Sequence, residues 1–108
     1  MIQVSIAISD SKILSMNVTG HAKSAKKGQD LVCASVSSIT TGALNALDRF
    51  APGVCALQLH DGDDAWIDIQ VRDVANSDAQ MILKTVLTQL ETIENNYSKY
   101  INIAKQEV

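Results

Sequence analysis

Apolar and polar residues alternate at the start of the chain, with Ile2, Val4, Ile6 and Ile8 separated by Gln3, Ser5 and Ala7. A period of two places the two sets on opposite faces of a strand, so this segment predicts a half-buried β-strand. Ser9-Asp10-Ser11-Lys12 reads as a turn, and Leu14, Met16 and Val18 resume the alternation in a second strand, completing a hairpin. Gly20 to Gln29 has no apolar period and contains Gly20 and Gly28, which predicts a mobile loop. The period then lengthens. Val32, Val36, Ile39, Ala43, Leu47 and Phe50 follow one another by three or four residues, as on one stripe of a helix running from about Leu31 to Arg49. Asp30 suits its N-cap, and Ala51-Pro52-Gly53 ends it because proline cannot continue a helix.

Val54 to His60 and Ala65 to Val71 predict a second hairpin around an acidic turn. Ser77 with Gln80 matches a capping box, and the helix it opens extends to about Ile101, with Leu83, Val86, Leu90, Ile93 and Tyr97 on one side. The order ββαββα implies an α+β fold, an antiparallel sheet of two hairpins packed on one face against two helices. Residues 1–108 read as one domain, with no linker or low-complexity segment. The uncovered sheet face would carry Gln3, Ser5 and Ala7 beside Trp66, Asp68 and Gln70. Trp66 is the odd residue there, as a dimer contact, a substrate wall or a shielded surface side chain.

Composition narrows the function classes. Apolar residues are 46% and charged residues 19%, an ordinary globular balance. The net charge of −3 argues against a general nucleic-acid binder, which needs clustered Lys and Arg. Asp61, Asp63, Asp64, Asp68 and Asp73 gather around the second hairpin, either as a solvated turn or as a surface for a basic partner. The start lacks a basic leader, and nothing approaches the roughly 18 apolar residues of a membrane span. Two cysteines are too few for a disulfide framework. A cytoplasmic location is expected.

The chemistry concentrates at Gly20-His21-Ala22 and Gly28-Gln29-Asp30-Leu31-Val32-Cys33. With Asp30 as N-cap, Cys33 is the third helical residue, where free backbone N–H groups and the helix dipole favour thiolate. A histidine twelve residues earlier can take the thiol proton or pair with the thiolate once the loop folds back. The alternative is a buried cysteine acting as a small hydrophobe. Ser37, one turn beyond Cys33, either bonds the histidine or substrate or bonds a backbone carbonyl one turn back. Asp30 either orients His21 or only caps the helix. Cys55, in line with Leu57 and Leu59, reads as core, and His60 as a surface residue beside a turn. Cys33, Cys55, His21 and His60 lack zinc spacing, and Asp61-Gly62-Asp63-Asp64 lacks the ligands of a calcium loop. The loop glycines are not followed by Lys-Ser/Thr, so there is no P-loop. No metal or cofactor is expected.

At these residues the chain resembles the Prp family of bacterial ribosomal-processing cysteine proteases. The likeness lies in Gly20-His21-Ala22, the spacer, Gly28-x-Asp30-x-Val32-Cys33-Ala34-x-Val36-Ser37 and overall length. Ser35 stands where the family often has alanine. The resemblance implies a homodimeric endopeptidase that removes the N-terminal extension of large-subunit ribosomal protein bL27. It implies Cys33 as nucleophile, His21 as general base and later acid, supporting positions at Asp30 and Ser37, and a loop between histidine and cysteine that rearranges around substrate. Two other classes compete with it: a non-catalytic ribosome-assembly dimer that binds a basic ribosomal peptide, and a thiol redox sensor, which would lack a CxxC partner.

Overall fold

The computed structural model describes residues 1–20, 29–60, 62 and 64–108, without the side chain of Gln29. The elements are β1 (Ile2–Ser9), β2 (Lys12–Thr19), α1 (Gln29–Phe50), β3 (Cys55–His60), β4 (Trp66–Val71), α2 (Ser77–Tyr97) and β5 (Ile101–Glu107). The strands form one sheet in the order β3-β4-β2-β1-β5. Both expected hairpins are present and join through β2 and β4, which pair antiparallel.

One further element changes the expected outline. The second helix ends at Tyr97 rather than near Ile101, and the chain turns through Ser98–Tyr100 into β5, which lies parallel to β1. The sheet is therefore mixed, and the order is ββαββαβ. Tyr100 N–H donates to Tyr97 O at 2.9 Å, and Ile2 N–H donates to Tyr100 O at 2.8 Å, so the turn is tied to the start of β1. No glycine or proline marks this boundary, and the alternation of Ile101 and Ile103 with Asn102 and Ala104 is too short to stand out after a helix.

Both β2-α1-β3 and β4-α2-β5 connect strands that run the same way. They cross the sheet in opposite directions from oppositely oriented strands, so crossovers of one hand put both helices on the same side. Between helices and sheet lie Ile2, Val4 and Ile6 of β1, Ile13, Met16 and Val18 of β2, Ile67 and Ile69 of β4, Val32, Val36, Ala43 and Leu47 of α1, and Leu83 and Leu90 of α2. Two expected stripe members fall outside this core: Phe50 is 61% exposed and Tyr97 is also exposed, each at the last residue of its helix.

The register of β1 against β2 shifts between Ala7 and Ile8, leaving Leu14 as the extra residue of a bulge. The bulge explains why Ile13, rather than Leu14, is buried with Met16 and Val18. Gln80 holds it in place. Its side-chain oxygen accepts from Ile13 N–H at 2.8 Å, and its amide donates to Ile13 O at 2.8 Å, both inside the core. Gln80 is thus not half of a capping box. The N-cap is Asn76, whose Oδ1 accepts from Ala79 N–H at 3.0 Å.

Candidate functional site

β2 ends at Thr19, and the next residue, Gly20, has φ +83, a left-handed conformation. A Cβ there would lie 2.6 Å from the carbonyl oxygen of Met1 and 3.3 Å from Ile2 Cα. Glycine is required twice over, by conformation and by the close passage of the β1 strand. The carbonyl of Gly20 then faces α1, and the Cys33 thiol donates toward it at 4.0 Å, a long and weak contact. The sulfur therefore sits against the backbone that leads into His21.

Cys33 is the fifth residue of α1, because the helix starts at Gln29, and Asp30 lies inside the first turn rather than at the N-cap. The side chain of a helical residue leans toward the N-terminus, so the sulfur still covers the first turn. Its environment opposes charge. Cys33 is only 3% exposed. Burial pushes its thiol above the ordinary range, the Asp30 carboxylate pushes it further, and the α-amino group of Met1 partly offsets both. Among the described residues, the expected stabilisation of thiolate by the helix start is outweighed.

Ser37 is half-buried one turn beyond Cys33 on the same side of α1, and its carbonyl accepts from Thr40 Oγ1 at 3.4 Å. His21, Gly28 and the expected mobile loop they belong to lie outside the described residues. Cys55 is buried in the core at the start of β3, as expected, and burial raises its thiol while Arg72 opposes the rise. Both cysteines are free. No group of three or more potential metal ligands occurs among the described residues.

The uncovered sheet face matches the sequence expectation. Register aligns His60, Trp66, Thr19, Gln3 and Asn102 in one row, then Gln58, Asp68, Asn17, Ser5 and Ala104, then Ala56, Gln70, Ser15, Ala7 and Gln106. The His60 and Trp66 rings stack with centroids 5.7 Å apart and 12° between planes. His60 is exposed beside the turn, as expected, and its ring is engaged with the tryptophan. Asp68 occupies the middle row, where Asn17 donates to it at 3.3 Å and Gln70 donates to both its oxygens at 3.2 Å. Composition signalled the acidic hairpin, but only the strand register reveals that this carboxylate is held by two amides.

On the opposite side, Gly42, Ala43 and Ala46 of α1 face Met81, Ile82 and Val86 of α2 across an apolar groove of about 430 Å³. Among the described residues, no helix is long and apolar enough to cross a membrane.

Residues 1–102 match the family model described as Cysteine protease Prp. The chain is similar to the ribosomal processing cysteine protease Prp of Bacillus subtilis, 36% identical over 107 residues, covering 95% of this chain and 96% of the relative. It is similar to the protein of that name from Staphylococcus aureus, 33% identical over 104 residues, covering 95% and 97%. Its fold is similar to the crystal structure of the essential ribosomal processing protease Prp from S. aureus in complex with a covalently linked product peptide. That likeness has a TM-score of 0.83 at 31% identity over 98% of this chain and 100% of the other.

Proposed function

Since this chain belongs to the Prp family of cysteine proteases, we propose that it is a ribosomal-processing endopeptidase that removes the N-terminal extension of large-subunit ribosomal protein bL27. Cys33 is the nucleophile and His21 the general base and later acid. One observation carries the pairing: the Cys33 sulfur lies 4.0 Å from the carbonyl oxygen of Gly20. The peptide bond tethers the next residue's Cα within about 3 Å of that oxygen. Gly20 directly precedes His21 in the sequence, which supports reading the two as one site.

The electrostatics give the histidine its task. Burial and Asp30 hold the lone thiol neutral, so proton transfer to His21 and the resulting ion pair supply the missing stabilisation. The same Asp30 carboxylate that opposes thiolate favours imidazolium, which makes it a positioning residue for the pair. The thiolate attacks the scissile carbonyl, and backbone N–H groups of the first turn of α1 offer donors to the oxyanion. Collapse breaks the C–N bond, His21 protonates the departing amine, and the acyl group remains on sulfur. Water, deprotonated by His21, then releases the acid and restores the thiol. Ser37, one turn along, supports the histidine or the substrate. Closure of the segment from Gly20 to Gly28 around substrate would exclude water and complete the site.

The chain acts as one domain over 1–108, in the cytoplasm, as a homodimer. A dimer contact on the helical layer is supported by the apolar surface it leaves open: Phe50 and Met81 are exposed beside the groove floored by Gly42, Ala43 and Ala46, and a second copy would cover them.

The test is to incubate the protein with the bL27 precursor of its own organism and weigh the products. Loss of one defined N-terminal peptide by the wild type, with none by Cys33→Ala or His21→Ala, is expected. Equal cutting by Cys33→Ala, or binding without cutting by the wild type, would replace this reading with a non-catalytic assembly role.

A further inference from the structure

The uncovered sheet face has a charge pattern that the dyad does not use. In its three rows Asp68 is the only carboxylate, and no Lys or Arg is present. Beside it runs a groove of about 220 Å³ lined by Ser5, Asn17, Gln70, Ala104 and Gln106. A water molecule takes about 30 Å³ of liquid, so the groove has room for one long side chain. Asn17 and Gln70 fix the carboxylate through amide donors and add no positive charge of their own. A carboxylate has about four acceptor sites, so it can still take a charged donor. Lysine or arginine complements this seat, with its stem over Ser15 and its head on Asp68.

The seat is close to the candidate nucleophile. Asn17, paired with Asp68, precedes Gly20 by three strand positions, about 10 Å at 3.4 Å per residue. The Gly20 carbonyl in turn lies 4.0 Å from the Cys33 sulfur. About four extended residues therefore span the path, which passes Trp66 in the intervening row.

We propose that this face is a docking surface for a basic stretch of the substrate polypeptide about four residues from the scissile bond, with Asp68 as its anchor. The inference rests on the ribosomal-substrate reading above, because ribosomal proteins carry Lys and Arg to neutralise RNA phosphates. The overall negative charge of the chain acts in the same direction.

The experiment uses Cys33→Ala as parent, so that binding is read without turnover. A fluorescein-labelled peptide from the N-terminal region of the bL27 precursor is compared by anisotropy with a copy whose Lys and Arg are Gln. At low salt the basic peptide should bind about five-fold tighter, and the ratio should shrink as salt screens the charges. Adding Asp68→Asn, which keeps shape and amide contacts, should bring the ratio near one. Ser15→Lys, on the neighbouring strand in the same groove, should do the same and Ser15→Glu should widen it, opposite signs that a purely structural role would not produce. An unchanged ratio in Asp68→Asn and Ser15→Lys, or no preference in the parent, overturns the proposal. Failure of the wild type to cut the precursor would overturn the protease reading, while this binding ratio would still decide the docking surface.

Discussion

Replacing Gly20, Gly53 and Gly42 by alanine separates backbone conformation from steric overlap. Gly53 has φ +77 and nothing within 4 Å of an added Cβ. Its alanine variant meets only the left-handed penalty of about 1–2 kcal/mol, reduced by about 0.4–1 kcal/mol through the stiffer unfolded chain. Gly20 adds an overlap to a similar φ. Its Cβ would be 2.6 Å from Met1 O, against an ordinary contact of 3.4 Å, so backbone must move by about 0.8 Å (3.4 − 2.6). The movement passes to Ile2, whose N–H bond to Tyr100 O at 2.8 Å anchors the start of β1. Losing that bond costs about 1 kcal/mol, for a net cost of about 1–3 kcal/mol. Gly42 is in the interior of α1 with nothing within 4 Å of an added Cβ in the single chain, so alanine there gains about 0.8–1 kcal/mol of helix propensity. Because it floors the groove of the proposed dimer contact, all four proteins are compared in the Met81→Lys background. Urea unfolding followed by far-UV circular dichroism, at one fixed protein concentration, should rank stability Gly42→Ala, parent, Gly53→Ala, Gly20→Ala. The Gly20→Ala variant should also lose peptide cleavage, since the same carbonyl faces Cys33. A Gly20→Ala protein within about 0.5 kcal/mol of its parent would refute the reasoning, because neither the φ penalty nor the overlap could then be real.

Gln80→Ala strands the N–H and C=O of Ile13 in the core and should cost about 2–4 kcal/mol in the same assay, with Asn76→Ala near 1 kcal/mol as the comparison for an ordinary cap. With the His21 imidazole removed, burial and Asp30 should leave Cys33 thiol above its ordinary range. Iodoacetamide should therefore modify His21→Ala at least ten-fold more slowly than wild type at pH 7, with its rate rising only at alkaline pH; equal rates would separate the two residues. Burial also raises the Cys55 thiol, so the folded state holds that proton more tightly than the unfolded state. Its contribution is whole below the unfolded value near 8.5 and is lost as pH rises through the folded value, so wild type should lose stability relative to Cys55→Ala above about pH 8.5. Met81→Lys should reduce the sedimentation mass to that of a monomer while far-UV ellipticity is retained; a mass unchanged by Met81→Lys would move the dimer contact off the helical layer.

Much of the architecture was legible because each element has a strong period. The alternation of β1 and the three-to-four spacing of α1 each have one physical solution, and the polar face bearing Trp66, Asp68 and Gln70 followed from parity alone. What escaped the sequence lay in long-range pairing. Nothing local announces that Ile101 and Ile103 complete the sheet beside β1, and a turn without glycine or proline hides the end of α2. Gln80 looks like a capping residue until a bulge in β2, 67 positions away, takes both ends of its amide. The site was legible in its residues but not in its electrostatics. A cysteine near a helix start suggests thiolate, yet burial and Asp30 reverse the sign at Cys33. Gly20 illustrates the same limit: the sequence placed a glycine before His21, and only the passage of Met1 and Ile2 shows why no other residue fits.

The central claim is covalent chemistry at Cys33. Mixing the protein with precursor peptide, quenching in acid within the first turnover and mapping the adduct by digestion and mass spectrometry tests it most directly. The N-terminal fragment is expected as a thioester on Cys33, absent from Cys33→Ala and strongly reduced in His21→Ala. Cleavage that proceeds with no adduct, or with the adduct on Cys55, would contradict it.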